Sequence, residues 1–331
     1  MKKGLTIIAL LLFFTSCKDA KESFVLAGSV GKSNQLLLVV EAKDWSGKIG
    51  ENLREFLGKL EVGLPQPETT FSVTQIAPKG FGSMMNKYRN ILVVQVGSKE
   101  SFKVKNDFYA RPQTIVYVNA LDKEGLYNQL EKHKKEIVKI FKDSEVKHLQ
   151  ERFENKKVDD SKFKTMKNLG ISLTIPQDFR FVKDSLNFLW LRQHLKSGIA
   201  RGDGTNNILV YSLPLKEEFD LDVSNNIITN RNLMGKTHIP GSVPEKMYMI
   251  TEAAFNPETK PTTINGKPAY ETRGKWEVKN DFMAGPFLNY TILDKKNNRL
   301  IVVEGFTYAP SVNKRDFLFE LEAIAKSIVI K

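Results

Sequence analysis

The densest set of chemically capable side chains lies between Tyr270 and Pro286, where Arg273, Trp276, Glu277, Asp281, Phe282 and Met283 stand among glycines. Together with Glu304, one hairpin further on, this set suits a cleft for a sugar or peptidoglycan fragment. An indole can stack on a ring face, a guanidinium can meet anionic groups, and carboxylates can accept hydrogen bonds from hydroxyls. The same acids, Glu277, Asp281 and Glu304, open an enzymatic alternative. Acid–base cleavage of a glycosidic bond needs two carboxyl groups about 5 to 9.5 Å apart. A third reading makes Trp276, Phe282 and Phe287 core residues and pairs Arg273 with Glu277 or Glu304. Arg315 is a further neighbour expected through the second hairpin.

Other signatures of catalysis do not form. Gly28-Ser-Val-Gly-Lys-Ser33 has two residues between its glycines where a phosphate loop needs four, and it precedes the first strand. No Gly-x-Ser-x-Gly elbow occurs. His133, His148, His194 and His238 show no pair at ligand spacing on one helical face, and the only cysteine lies near the N-terminus. Neither a metal nor a cofactor is expected.

The elements that must position these residues fall into two groups. Residues 35–42 form an apolar run typical of a strand buried on both faces. Ile49, Leu53, Phe56, Leu57 and Leu60 then repeat at helical spacing. Strands are expected at 71–76, 90–96 and 114–118, followed by a long helix opened by Asp122. After a charged linker at 156–167 the texture changes to short strands, with Asn265-Gly266 as the strongest hairpin signal. A short helix is expected at 223–234, and Ser311 or Asn313 caps a final helix with Phe317, Leu321 and Ile324 facing inward. The fold class is therefore α+β in two domains. Residues 34–155 form an α/β sandwich, and residues 156–331 an antiparallel sheet with helices on one face, loosely like PsbP and Mog1.

The N-terminus sets the location. Lys2 and Lys3 precede an apolar run from Leu5 to Phe14 and then Thr15-Ser16-Cys17. The run is too short to span a bilayer, which takes roughly 20 residues, and reads as a secretory signal over residues 1–16. Phe14-Thr15-Ser16-Cys17 resembles the bacterial lipobox, which implies that Cys17 becomes the first mature residue and carries acyl chains. Residues 17–33 then form a flexible tether. The expected place is the outer membrane, lipid-anchored, on the periplasmic face or the cell surface. Removing the signal lowers the formal charge from +12 to +10 (48 basic against 38 acidic residues). Expected partners are the membrane through the anchor, and a glycan or another envelope protein, with no nucleic acid.

Several stretches carry a resemblance across nearly the whole mature chain. They are Leu64-Pro-Gln-Pro67, Arg89-Asn-Ile91, Ala110-Arg-Pro-Gln113, Phe188-Leu-Trp-Leu-Arg192, His238-Ile-Pro-Gly241, Arg273-Gly-Lys-Trp-Glu277 and Asn280-Asp-Phe-Met-Ala-Gly-Pro286. In these the chain resembles the Bacteroidetes lipoprotein family named domain of unknown function 4837. The resemblance implies an envelope lipoprotein and an architecture but supplies no activity. A non-enzymatic binding or scaffolding module is the leading expectation.

Overall fold

The computed structural model describes residues 26–195 and 204–331. The signal, Cys17 and the first part of the tether lie outside the described residues.

In chain order the first half contains β1 (Ala27–Gly28), β2 (Gln35–Val39), α1 (Ala42–Trp45), α2 (Lys48–Leu57), β3 (Ser72–Ile76), β4 (Asn90–Val96), β5 (Ser101–Asn106), β6 (Ala110–Arg111), β7 (Thr114–Ala120) and α3 (Lys123–Glu154). Its main sheet runs β3-β2-β4-β7-β5, parallel except for the antiparallel edge strand β5. Parallel strands covered on both faces are near-continuously apolar, which is why β2 and β4 stand out in the sequence. Leu36 and Leu38 face α2 and α3, whereas Leu37 and Val39 face a second layer that includes Phe81, Tyr88 and Tyr109 from the loops. β5 is an addition to the expected strands. Its burial is slight and Lys103 and Lys105 lie in it, so it lacks the apolar pattern of a core strand.

Asp122 caps α3 by accepting a hydrogen bond from the Gly125 backbone N–H at 2.8 Å. At 32 residues this helix is about 48 Å long. Leu126, Leu130, Ile137 and Phe141 complete the first core, while Val146, Leu149 and Phe153 belong to the second. One helix is thus shared by both halves.

The second half contains α4 (Lys164–Leu169), β8 (Ile171–Ser172), β9 (Arg180–Asp184), β10 (Phe188–His194), β11 (Thr205–Pro214), α5 (Val223–His238), β12 (Met249–Thr251), β13 (Glu258–Ile264), β14 (Lys267–Val278), β15 (Ala284–Asp294), β16 (Arg299–Tyr308), α6 (Arg315–Lys326) and β17 (Val329–Ile330). An antiparallel sheet runs β12-β14-β15-β16-β11-β10-β9, with β13 also paired to β14. The expected linker at 156–167 is folded: Phe163, Met166 and Leu169, in and around α4, are buried in the second core. The Asn265-Gly266 turn forms as expected, with both residues at positive φ (47° and 78°). Helices lie on both faces of this sheet: α4, α6 and the end of α3 cover Leu191, Val210, Leu288 and Val303. On the opposite face, α5 packs Ile228 and Met234 against a core that includes Tyr211, Trp276, Phe287 and Phe306.

The seam between the halves is hydrogen-bonded and tightly packed. The Glu68 carboxylate accepts from the backbone N–H groups of Lys314 (2.7 Å) and Arg315 (3.1 Å) at the start of α6. The cap is supplied across the seam, where the sequence pointed to Ser311 or Asn313. Arg315 donates to the Thr69 carbonyl at 2.9 Å and, with Arg273, lines a small cavity at the seam. Gly63, at φ +85°, lies against Gly274, so close that an added Cβ would sit 2.9 Å from the Gly274 carbonyl oxygen. Gly63→Ala is expected to destabilise the chain by about 1–3 kcal/mol through strain and overlap. Urea unfolding checks this; an unchanged midpoint would show that the seam yields freely.

Candidate cleft between the two halves

Strand alternation decides where the sequence candidates go. Successive side chains point to opposite faces, so Arg273 and Trp276, three apart on β14, cannot share a cleft wall. Arg273 lies on the α6 side, whereas Trp276 is 2% exposed within the α5-side core, where its indole N–H donates to the Thr307 carbonyl at 3.3 Å. Glu304 is also in that core, fully buried, with its carboxylate 2.9 Å from Arg231 Nη2 and accepting from Asn289 at 2.9 Å. Glu277 is half-buried on β14. Asp281 is in the β14–β15 loop and accepts from the Phe282 backbone N–H and the Ser242 hydroxyl. The five expected cleft residues therefore do not form one site, and the acid set for glycan cleavage is dispersed. Phe282, grouped above with core residues, is fully exposed.

Arg273 is the one that reaches a cleft, through partners the sequence did not suggest. Its Nε is 2.6 Å from Glu271, Nη2 is 2.6 Å from Glu322 on α6, and Nη1 is 3.7 Å from Glu61 of the first half. Glu61 also pairs with Lys142 of α3 at 2.6 Å, and Glu322 with Lys326 at 2.5 Å. Tyr290 donates to Glu271 at 2.6 Å. Three cations thus meet three carboxylates, and the network closes neutral across the seam.

Burial alone would push these carboxyls up. At Glu322 that push is outweighed by Arg273, Lys326 and Lys142, which hold the group far below the usual carboxylate range. Glu61 and Glu271 are likewise lowered against burial, by Lys142 and Arg273 at the first and chiefly by Arg273 at the second. Burial pulls against the Arg273 charge, but Glu322 and Glu271 raise its pKa well above normal. None of these carboxyls is held protonated, as a general acid would be. Of the partners, Glu271 was legible: it shares a strand face with Arg273 at i,i+2. Glu61, Lys142 and Glu322 carry no local signal.

Above this floor lies a cleft of about 630 Å³ between the halves, a size typical of ligand sites. Phe56, Leu60 and Val138 give it an apolar side, with Leu60 54% exposed. Lys134 and Lys260 line it in ion pairs with Glu131 and Glu258. Lys59 and Lys135 are exposed and have no ion pair among the described residues. The chemistry on offer is capture of an anion by unpaired ammonium groups beside apolar surface. Among the described residues no group of three His, Cys, Asp or Glu could hold a metal.

Fold and cleft define a two-part α+β protein whose halves share one long helix and enclose a lysine-rimmed groove. A family model described as "Domain of unknown function (DUF4837)" matches residues 157–327, and the chain belongs to that family. A second model, "Domain of unknown function (DUF8532)", matches residues 29–154. No curated protein matches. Similar solved structures include the Ran-binding protein Mog1p of Saccharomyces cerevisiae (11% identity, 49% of this chain and 90% of that one, TM-score 0.32). A point mutant of protein Mog1 gives 10% identity, the same coverages and TM-score 0.32. LpqN of Mycobacterium tuberculosis, described as involved in cell envelope biogenesis, gives 13% identity, 49% and 83% coverage and TM-score 0.29.

Proposed function

We propose that the chain is a lipid-anchored envelope protein, held at the outer membrane through Cys17, that binds an acidic ligand in the cleft between its halves without transforming it. One observation carries the binding reading: Lys59 and Lys135 stand unpaired beside apolar Phe56, Leu60 and Val138, over a floor whose own charges are already neutralised. A neutral floor leaves the rim cations free to select an anion. The ligand class this favours is an acidic envelope glycan, such as a uronate oligosaccharide or a peptidoglycan fragment, with its less polar ring faces against the apolar side. The anchor reading rests on Phe14-Thr15-Ser16-Cys17, and two acyl chains suffice for stable attachment. Cys17→Ala is expected to release the protein from the membrane fraction and abolish labelling by a fatty-acid analogue.

The binding test is titration calorimetry with acidic and matched neutral oligosaccharides. Binding of the acidic member alone is expected, weakened by added salt. Charge-assisted hydrogen bonds contribute about 1.5–3 kcal/mol each, so Lys59→Glu with Lys135→Glu is expected to weaken binding at least about tenfold. Equal affinity for acidic and neutral sugars, or an unaffected double variant, would contradict the reading.

A further inference from the structure

The β14–β15 loop presents a fully exposed Phe282 at 103% of its reference area, followed by Met283 at 36%. Val243, 45% exposed, is on the neighbouring loop that joins α5 to β12. A side chain of this size normally gains stability by burying its apolar surface. Here the backbone holds it in solvent through a closed set of hydrogen bonds. The Val278 N–H donates to the Met283 carbonyl at 2.8 Å and the Asp281 N–H to the Val278 carbonyl at 3.0 Å. Asn280, at φ 63°, donates to the Lys246 carbonyl at 3.2 Å, and Ser242 donates to Asp281 at 3.3 Å. The two loops are cross-tied, so the phenyl ring is displayed by a built support.

A basic collar surrounds that display. Lys236 and Lys279 both stand over the Tyr248 ring, at 5.8 and 5.5 Å from its centroid, and Lys246 is exposed on the same loop. The nearby acids are Glu245, Glu277 and Asp281, and the Asp281 carboxylate is occupied by the Phe282 N–H and the Ser242 hydroxyl. We infer that the Phe282 loop is a second, independent site at which the protein contacts an anionic lipid surface. Phe282 and Met283 enter the boundary between headgroups and acyl chains, and Lys236, Lys246 and Lys279 lie against lipid phosphates. Apolar insertion and lysine–headgroup attraction add in such contacts. The site is separate from the inter-half cleft, so failure of one leaves the other standing.

The test is vesicle co-sedimentation of residues 17–331 carrying Cys17→Ala. This chain keeps every described residue and lacks both the apolar run and the expected acylation site. Binding to phosphatidylglycerol-containing vesicles, falling with salt and much weaker on pure phosphatidylcholine, is the expected result. Phe282→Ala is expected to lower partitioning about tenfold or more, and Lys246→Glu with Lys279→Glu several-fold on the anionic vesicles alone. All three side chains are exposed, so unchanged melting is expected and shows that the variants fold. Absence of binding by the parent, equal binding by Phe282→Ala, or a Phe282-dependent protein complex formed without lipid would overturn the inference.

Discussion

Replacing Arg273 by Met is expected to destabilise the chain by about 3–5 kcal/mol at pH 7, the range for removing one partner of a buried ion pair. The substitution preserves a long apolar stem but leaves Glu271 without its paired cation, takes one of two paired cations from Glu322, and weakens the hold on Glu61 across the seam. The pH dependence separates this cause from lost packing. In the parent, Glu61, Glu271 and Glu322 are held below the unfolded carboxylate range. Groups with a lowered folded pKa contribute stability above the unfolded value, about 4.3 for Glu, and that stability is lost as pH falls through the folded values. The contribution of these three carboxylates should therefore be constant from pH 8 to 5 and be lost below about pH 4. Without Arg273, Glu271 has no cation paired to it, so burial moves its carboxyl up and it takes a proton in mild acid, which relieves the strain there. The deficit of Arg273→Met should shrink between pH 7 and pH 5 in urea titrations. An equal deficit at both pH values would assign the effect to packing.

Glu304→Ala is the second large effect, again about 3–5 kcal/mol, on the opposite face of the same sheet. It would strand Arg231, which is 1% exposed and lies 3.8 Å from the Phe287 ring centroid while donating to Thr251 at 3.0 Å. This arginine reaches the core from α5, beside Ile228 and Met234, so the helix should loosen with it. Replacing both partners, as in Arg231→Met with Glu304→Leu, should recover most of the loss, because no charge is then left uncompensated. A double variant as unstable as Glu304→Ala would show that the pair contributes shape rather than charge balance. Acid-unfolding and urea midpoints on the three chains give the comparison.

These two clusters show where sequence reading succeeds and fails. The Leu and Val runs of β2 and β4, the Asp122 cap and the Asn265-Gly266 turn each follow from local rules, and each forms. The edge strand β5 escapes such rules because an exposed strand has no apolar pattern to show. The placement of Arg273 and Trp276 on opposite faces was available from alternation along β14. Their spacing in sequence nevertheless suggests a shared cleft. Phe282 misleads for another reason: its residue type points to core, but it sits where a strand ends and the chain turns. Apart from Glu271 on its own strand, the partners of Arg273 come from the segment after α2 and from α6, and Lys142, which pairs with Glu61, comes from α3, so only the tertiary fold brings them together. The cap of α6 by Glu68 is equally non-local, at a separation of 246 residues.

The central claim is that the groove between the halves is the binding site, and amine-reactive footprinting by mass spectrometry tests it most directly. With a saturating acidic oligosaccharide, Lys59, Lys135 and Lys260 should become protected, while Lys183 and Lys236, on the far side of the second half, keep their reactivity. Unchanged labelling at Lys59 and Lys135 alongside measurable binding, or protection confined to Lys183 and Lys236, would contradict it.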